Sequence, residues 1–333
     1  MGYKNDRRAA LKKLKLLSYN GKAGTENFRK RIDDAFKVVF LPNNVECSEY
    51  KYGNIVCDIL SPEIYASNRV MLYIHGGSFV GGSRSAYRSF CSSLASKCYC
   101  RVVIPEFRLA PSNPYPAATD DIQNVFKALF TEEQIACSLN SQNGHKMEPE
   151  IIIAADGSSA SIACSLIFNL RERYRKQIKK VILFSPWLDL SPDSRIFSAK
   201  KISDEVLNRD SIKKSTVVYT YESNTKRSAV SPLRASEEDL ENFPSTIIQM
   251  GGKELLLPDA QDFAEKLKAA GNEVILDVWP DMMFMFQLAD EFLRESHLAL
   301  DKIGRIITNM DETSAAIQID NKPILENSLK SEA

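Results

Sequence analysis

Short apolar runs alternate with helical stretches along most of this 333-residue chain. A short run that does not alternate apolar with polar residues is typical of a strand buried on both faces of a parallel sheet. Such strands, each followed by a helix, indicate a doubly wound α/β sheet. The predicted strands lie at residues 70–74, 101–104, 151–154, 180–184, 245–249 and 273–278, and the predicted helices at 86–98, 119–130, 158–173, 259–270 and 287–304.

Three segments lie outside this alternation. Two short strands at 45–50 and 54–60 flank Tyr52-Gly53 and predict a hairpin ahead of the parallel strands. Residues 1–40 and the polar insertion 191–243 are helix-prone. We expect both to form a helical cap over the carboxyl-terminal edge of the sheet, where open α/β folds bind ligands. The predicted core is then 41–307, and the polar stretch 308–333 is predicted to be a disordered tail.

The charge balance argues against a nucleic-acid partner. The chain carries 43 Lys and Arg against 43 Asp and Glu, so its formal net charge is zero. The chain therefore lacks the overall positive charge that would favour nucleic-acid binding. No apolar run approaches the roughly 18 residues that a membrane span needs, so no transmembrane segment is expected.

The cysteines favour a reducing compartment. The seven cysteines form no C-x-x-C pair, and Cys98-Tyr-Cys100 is too tightly spaced for a usual zinc site. An odd number of cysteines inside apolar stretches suits buried, reduced thiols. We therefore expect a cytoplasmic protein that holds no metal.

The N-terminal stretch combines leucines with basic residues. It lacks the uninterrupted apolar segment of a signal peptide, so no targeting segment is predicted. Its amphipathic pattern leaves two interpretations open, a helix on a membrane surface or a helix packed on its own domain. We favour the second.

Two loops that follow predicted strands have the sequence patterns of catalytic sites. His75-Gly-Gly-Ser-Phe79 follows the run 70–74, and its glycines allow backbone N–H groups to face a ligand oxygen, as in an oxyanion hole. The segment 151–163 indicates a strand, a tight turn and a helix, which is the setting of a nucleophile elbow. In that frame, Gly157 stands where the nucleophilic serine would be.

Further blocks carry a family resemblance. The chain resembles the hormone-sensitive-lipase family of α/β-hydrolases in the segment Phe107-Arg-Leu-Ala-Pro-Ser-Asn-Pro-Tyr-Pro-Ala-Ala-Thr-Asp-Asp121. Four further blocks are similar to later blocks of that family; they lie at 185–190, 231–233, 251–256 and 278–287. The resemblance implies an α/β-hydrolase fold with an eight-stranded, mostly parallel sheet, flanking helices and a helical cap. It also implies ester hydrolysis without a metal or cofactor.

The resemblance assigns a residue to each position of the catalytic triad, but two of the three positions lack the catalytic side chain. The family's G-D-S-A-G-G block lies on Ala155-Asp-Gly-Ser-Ser-Ala160, so the serine position is Gly157. The acid position is Glu254, and the histidine position is Phe284. In a subtilisin-type triad, losing Ser or His alone costs about 10⁶ in turnover. The chain is therefore predicted to be a degenerate hydrolase.

The oxyanion loop needs only backbone donors. We assign it to Gly76, Gly77, Ser78 and Ser158, because N–H groups require no particular side chain. His75 and Asp156 are expected to support the loop and the turn. Glu254 is expected to be a buried carboxyl whose pKa desolvation raises.

Other assignments at the site stay open. Ser158 or Ser159 is an alternative nucleophile, but the only candidate bases are His75, His145 and His297, of which the last two are expected to face solvent. A bound water beside Gly157 is a further alternative, which requires that Phe284 not fill the space towards Glu254. The neighbouring side chains suit either a packed core or an adaptable apolar pocket; these are Met282, Met283, Met285, Phe284 and Phe286.

Three functional hypotheses follow. The leading one is a carboxylesterase- or lipase-like protein that has lost turnover but keeps an acyl pocket for a small acyl ester, a carboxylate or a protein partner. Plant gibberellin receptors of the same broad family resemble this situation, since they use the old pocket for a hormone; this is an analogy at the level of the fold. The second is a weakly active ester hydrolase, and the third is a relic that acts through its surface. A homodimer is left open.

Overall fold

The computed structural model describes residues 2–22, 24–37, 41, 44–140, 147–198 and 204–311. Within these residues, eight strands form one sheet in the order β1-β2-β4-β3-β5-β6-β7-β8. The strands are β1 (Val45–Tyr52), β2 (Ile55–Pro62), β3 (Arg69–Ile74), β4 (Arg101–Pro105), β5 (Glu150–Asp156), β6 (Ile178–Phe184), β7 (Thr246–Gly251) and β8 (Val274–Trp279).

The strand pairing confirms the predicted sheet. β1 and β2 pair antiparallel, with Tyr52 opposite Ile55, and form the predicted hairpin. β2 also pairs antiparallel with β4, whereas every pair from β4 to β8 is parallel. The carboxyl ends of the parallel strands therefore meet at one edge of the sheet, which is where both chemistry-bearing loops lie.

The helices are α1 (Gly2–Leu14), α2 (Thr25–Phe36), α3 (Arg84–Cys98), α4 (Ala117–Asn140), α5 (Ser159–Phe168), α6 (Glu172–Arg175), α7 (Arg195–Ser198), α8 (Arg209–Tyr219), α9 (Glu237–Leu240), α10 (Leu257–Ala269) and α11 (Arg294–Thr308). Short 3₁₀ turns, including Lys15–Leu17 and Phe286–Ala289, connect some of them. Within the described residues, none of the helices is both long and apolar enough to cross a membrane.

Three predicted helices differ from the structure by more than two residues at an end. The helix predicted at 119–130 spans Ala117–Asn140. The helix predicted at 158–173 ends at Phe168, because the Asn169 side chain donates to the carbonyl of Ser165 at 2.7 Å and competes with the helical backbone bonds. The helix predicted at 287–304 begins at Arg294, because the Phe286–Ala289 turn occupies the preceding stretch. The last helix continues through Thr308 and a 3₁₀ turn at Asn309–Asp311. The rest of the predicted tail, 312–333, lies outside the described residues.

The cysteines are free, as expected, but one is not buried. Six of the seven, all of which lie in the described part of the chain, are buried. Cys47 is exposed on β1. The reason is that β1 is an edge strand with a mostly solvent-facing surface, which the apolar pattern of the sequence does not reveal.

The N-terminal helices and α8 pack against the loop that follows β3. A Cβ at Gly81 would lie 2.8 Å from Phe28 Cε1, so α2 rests directly on the backbone of that loop. Arg29 of α2 donates to the carbonyls of Val80 at 2.8 Å and Ala110 at 3.1 Å. From α8, the ring of Tyr219 stacks on Phe79 with centroids 3.8 Å apart. We call residues 2–37 and α8 the cap.

Candidate active site

The predicted elbow is present at the carboxyl end of β5. Gly157 has φ +49°, a left-handed conformation that L side chains adopt at a cost. Its N–H donates to the Phe184 carbonyl at 2.9 Å, and its carbonyl accepts from the Trp187 N–H at 2.9 Å. The turn between β5 and α5 is thus kept by the backbone, and only the side chain is missing.

The ring of Phe284 fills the space beside Gly157. A Cβ built on Gly157 would lie 3.2 Å from Phe284 Cζ and 4.0 Å from Trp187 Nε1. Phe284 itself is only 3% exposed. The residue at the histidine position therefore points at the serine position. The ring therefore crowds the position that a side chain on residue 157 would take.

Glu254 is fixed by two donors and keeps one free oxygen. Its Oε1 accepts from the Ser185 hydroxyl at 2.8 Å and from the Gly251 N–H. Ser185 also accepts from the Met285 N–H at 3.1 Å, so the acid is tied to the backbone beside Phe284. Its Oε2 is buried with no partner among the described residues, which leaves unused the acceptor that an imidazole would take.

Burial changes the charge state of this acid. Desolvation, reinforced by the nearby Asp204 carboxyl, raises the pKa of Glu254 well above its ordinary value. The hydrogen bonds from Gly251 and Ser185 lower the pKa but do not offset the effect of burial. Glu254 is thus set up to hold a proton, whereas an acid that supports an imidazolium must be ionised.

Asp156 braces the oxyanion loop. It accepts from the Gly76 N–H at 2.8 Å, from the Tyr73 hydroxyl at 2.8 Å and from the Tyr87 hydroxyl at 2.9 Å. Burial raises the pKa of Asp156 to about 6 despite these bonds. One assignment must be corrected, because the N–H of Gly76 is bonded to Asp156 and is not available to a ligand.

The other three predicted amides are free. The N–H groups of Gly77, Ser78 and Ser158 have no hydrogen-bond acceptor within the part of the chain that the structure describes. The Ser78 hydroxyl donates to the Leu17 carbonyl at 2.8 Å and accepts from the Tyr19 N–H at 3.3 Å. The loop that presents the amides is therefore also tied to the N-terminal part of the cap.

His75 supports the loop and contacts neither serine through its ring. Its Nδ1 lies 3.0 Å from the Gly76 carbonyl oxygen. The ring is stacked between Phe107, at a centroid distance of 4.4 Å, and Tyr87, at 5.3 Å. Burial lowers the pKa of His75 to about 4. These contacts hold the strand-to-loop junction and direct the ring away from the elbow.

The side-chain oxygens of the two alternative serines form hydrogen bonds with backbone groups. Ser158 Oγ accepts from the Phe79 N–H at 3.1 Å, and the Ser159 hydroxyl donates to the His75 carbonyl. His297 is exposed on α11, and His145 lies outside the described residues. Of the histidines that the structure describes, none contacts Ser158 or Ser159 through a ring nitrogen.

The methionine-rich segment is packed core. Its five central residues are buried completely or almost completely; these are Met282, Met283, Phe284, Met285 and Phe286. Their burial favours the packed-core interpretation over an open apolar pocket. Within the described residues, no cluster of His, Cys, Asp and Glu has the arrangement of a metal site.

Two residues at the site were not singled out from the sequence. Ser185 links Glu254 to Met285, and the buried Trp187 Nε1 has no hydrogen-bond partner among the described residues while facing Gly157. Both belong to the Ser185–Leu190 block, which carried the resemblance without a site role. Its position directly after β6, beside β5, was the signal that could have identified them.

Comparison with known proteins agrees with the fold. A family model described as the alpha/beta hydrolase fold matches residues 71–288. An esterase from Acinetobacter venetianus is 30% identical over 247 residues, which cover 74% of this chain and 77% of the esterase. The gibberellin receptor GID1A of Arabidopsis thaliana is 28% identical over 215 residues, which cover 62% of this chain and 59% of the receptor. The crystal structure of an esterase from the bacterial hormone-sensitive lipase family superposes with a TM-score of 0.80 at 23% identity, covering 93% of this chain and 99% of that one.

Proposed function

Because this chain belongs to the α/β-hydrolase family, among esterase-like members, we propose that it is a binding protein that has lost ester turnover. The observation that carries the proposal is the Phe284 ring in the space that a nucleophilic side chain on Gly157 would occupy, with Cζ 3.2 Å from the Cβ position. Its ligand is a small acyl ester, a carboxylate or a protein partner.

The loss of turnover follows from the chemistry of the three positions. A serine-esterase cycle needs an oxygen nucleophile, a base that takes its proton and an ionised acid that orients the base. Gly157 supplies no oxygen, Phe284 supplies no proton acceptor, and the raised pKa of Glu254 favours its neutral form. The three free amides of the oxyanion loop stabilise charge only after a nucleophile has attacked.

The weakly active alternative receives no support from the geometry. A hydrolytic water would have to stand beside Gly157, where Phe284 Cζ lies 3.2 Å from the Cβ position. Ser158 and Ser159 are buried and bonded to backbone groups, and no histidine ring of the described residues lies at hydrogen-bond distance.

Binding without turnover is compatible with this family. A relative that is named a gibberellin receptor shares 28% of its residues over 62% of this chain. Phe284 is buried and lies beside Gly157, so a ligand that occupies the space beside Gly157 must displace its ring. Surface binding by the cap or by a second copy of the chain needs no such movement. The free thiols support the cytoplasmic location that we propose.

Hydrolysis of p-nitrophenyl butyrate and labelling with a fluorophosphonate test the proposal. We expect the natural chain to show neither activity, and the Gly157→Ser/Phe284→His double variant to gain both. The single variant Gly157→Ser should gain neither, because Phe284 still fills the site. Turnover by the natural chain that disappears in Ser158→Ala or Ser159→Ala would overturn the proposal in favour of a serine hydrolase with an unusual nucleophile.

A further inference from the structure

A groove of about 430 Å³ lies on the outer surface of the cap, away from the buried elbow. Its volume falls in the range of sites that take small organic ligands. One wall is the segment 19–22, and the other is the solvent-facing side of α8. The lining residues are Tyr19, Asn20, Gly21, Lys22, Lys213, Lys214, Val217 and Val218.

The first wall is held in place by contacts within the cap. The buried ring of Tyr19 meets Phe28 edge to face, with centroids 5.1 Å apart. The Tyr19 N–H is bonded to Ser78, and the Asn20 side chain accepts from the Lys22 N–H at 3.0 Å. Gly21, with φ +70°, makes the tight turn between them. This wall is therefore ordered without a ligand.

The second wall pairs apolar and cationic side chains. Val217 is 78% exposed, an unusual position for a β-branched apolar residue on a helix. Lys213 precedes Val217 by one helical turn, and Lys214 precedes Val218 in the same way, so the two pairs lie side by side along the groove. Val217 and Val218 together form the apolar part of this wall. An aliphatic chain lying along this apolar part would have a cation at one end.

The cationic end of the groove is not neutralised by the protein. Lys214 is paired with Asp210 at 3.0 Å. Within the described residues, Lys22 and Lys213 have no carboxylate partner, and Lys213 Nζ instead lies 5.0 Å from the centre of the Phe197 ring. Two ammonium groups beside an apolar stripe are complementary to an anion that carries a hydrocarbon chain.

We propose that this groove binds a monomeric, single-chain aliphatic carboxylate. The chain lies along Val217 and Val218, and the carboxylate lies between Lys22 and Lys213. Because the site is a groove between two walls, it favours a single free amphiphile over a flat membrane surface. The inference goes beyond the proposed function and does not depend on it, because none of the lining residues belongs to the elbow or to the oxyanion loop.

Calorimetric titration of the full-length protein with decanoate below its micelle concentration tests the proposal. Acetate supplies the charge without the chain, and decan-1-ol supplies the chain without the charge. The groove variants are Val217→Asp and Lys22→Glu/Lys213→Glu. The matched controls are Ile64→Asp, at an apolar residue that is 72% exposed elsewhere, and Lys268→Glu, at an exposed lysine of α10.

We expect the natural chain to bind decanoate, and to bind acetate and decan-1-ol more weakly. Val217→Asp should weaken decanoate binding by about tenfold or more, which corresponds to about 1.4 kcal/mol. The double lysine variant should weaken decanoate binding similarly while leaving decan-1-ol binding unchanged. The two control variants should bind like the natural chain.

Three results would overturn the proposal: no decanoate binding, binding that both groove variants retain, or an equal loss in the controls. Association with phosphatidylglycerol vesicles without decanoate binding would also overturn it and identify a membrane surface instead. The hydrolysis assay reports on the buried site alone, so failure of the groove and failure of the proposed function give different results.

Discussion

Gly157 and Phe284 are two departures from the family pattern that fit each other in space. Each alone removes one catalytic group, and the structure places the ring of one against the missing side chain of the other. The ring is buried, so it contributes to the stability of the fold. Under the proposed function, the same contact would also exclude a nucleophile from this site.

A double-mutant cycle measures this relation. Gly157→Ala should destabilise the protein by about 1–2 kcal/mol through its left-handed backbone, and further through contact with Phe284. Phe284→Ala should cost about 3–5 kcal/mol through the cavity it leaves. The control is Gly53→Ala, which also has a positive φ (+62°) but nothing within 4 Å of its Cβ. Urea unfolding measures the loss of unfolding free energy caused by each variant. In the Phe284→Ala background, the loss caused by Gly157→Ala should fall to that caused by Gly53→Ala. An unchanged loss would show that residues 157 and 284 do not interact.

Glu254 should make stability depend on pH in a particular direction. Its pKa is raised on folding, so above about pH 4.5 the unfolded chain releases a proton that the folded chain keeps. The free energy of unfolding therefore loses a contribution as pH rises through and above that value, by up to about 1.4 kcal/mol for each pH unit. Glu254→Gln keeps the acceptor for Ser185 and removes the ionisation.

Urea unfolding between pH 5 and 8 checks this expectation. The stability of Glu254→Gln relative to the natural chain should increase as pH rises across that interval. Glu46→Gln, at an exposed carboxyl on β1, is the control and should stay parallel to the natural chain. A constant difference between Glu254→Gln and the natural chain would mean that Glu254 is ionised in the folded protein.

At the scale of elements, the oxyanion loop joins the core to the cap. The Ser78 hydroxyl bridges the Leu17 carbonyl and the Tyr19 N–H, while Asp156 holds the other end of the loop through Gly76. These contacts give the loop a structural role that is independent of catalysis. The same contacts hold Tyr19, which forms part of the groove on the cap.

Ser78→Ala should loosen the N-terminal part of the cap. Removing the hydroxyl leaves the Leu17 carbonyl and the Tyr19 N–H without partners, at a cost of about 1–3 kcal/mol. Hydrogen exchange at the Tyr19 amide should become faster, and trypsin should cleave more readily after the exposed Lys22. Ser223→Ala, at an exposed serine, should change neither rate. Unaltered exchange at Tyr19 would show that other contacts hold this segment.

At the scale of the whole molecule, the cap is an integral part of the fold. Its N-terminal segment buries Leu14, Leu17, Phe28, Ile32 and Phe36. At roughly 1.5–3 kcal/mol for each side chain, this burial is comparable to the entire stability of a typical domain. The salt bridge of Lys13 with Glu291 and the bonds of Arg29 add polar links to the core.

Deletion of residues 2–37 should therefore abolish cooperative folding. We expect the truncated chain to bind a hydrophobic dye and to lose its sharp urea transition. Deletion of 312–333, a stretch whose composition predicts disorder, is the control and should leave the urea midpoint unchanged. A truncated core that still unfolds cooperatively near the natural midpoint would show that the cap folds as a separate unit.

The sequence by itself determined the class of fold and the place of each buried strand, and it predicted which residues stand at the triad positions. These follow from apolar periodicity and from local turn chemistry, which act between residues that are near in the chain. The exposure of Cys47 and the use of the Gly76 N–H by Asp156 depended on the arrangement of elements distant in the chain, whereas α5 ends early through a local contact of Asn169. Only the tertiary structure decided that Phe284 lies against Gly157 and that Ser185 and Gly251 hold Glu254. Both depend on which side chains meet when strands distant in the chain become adjacent, and packing at that distance leaves no local pattern.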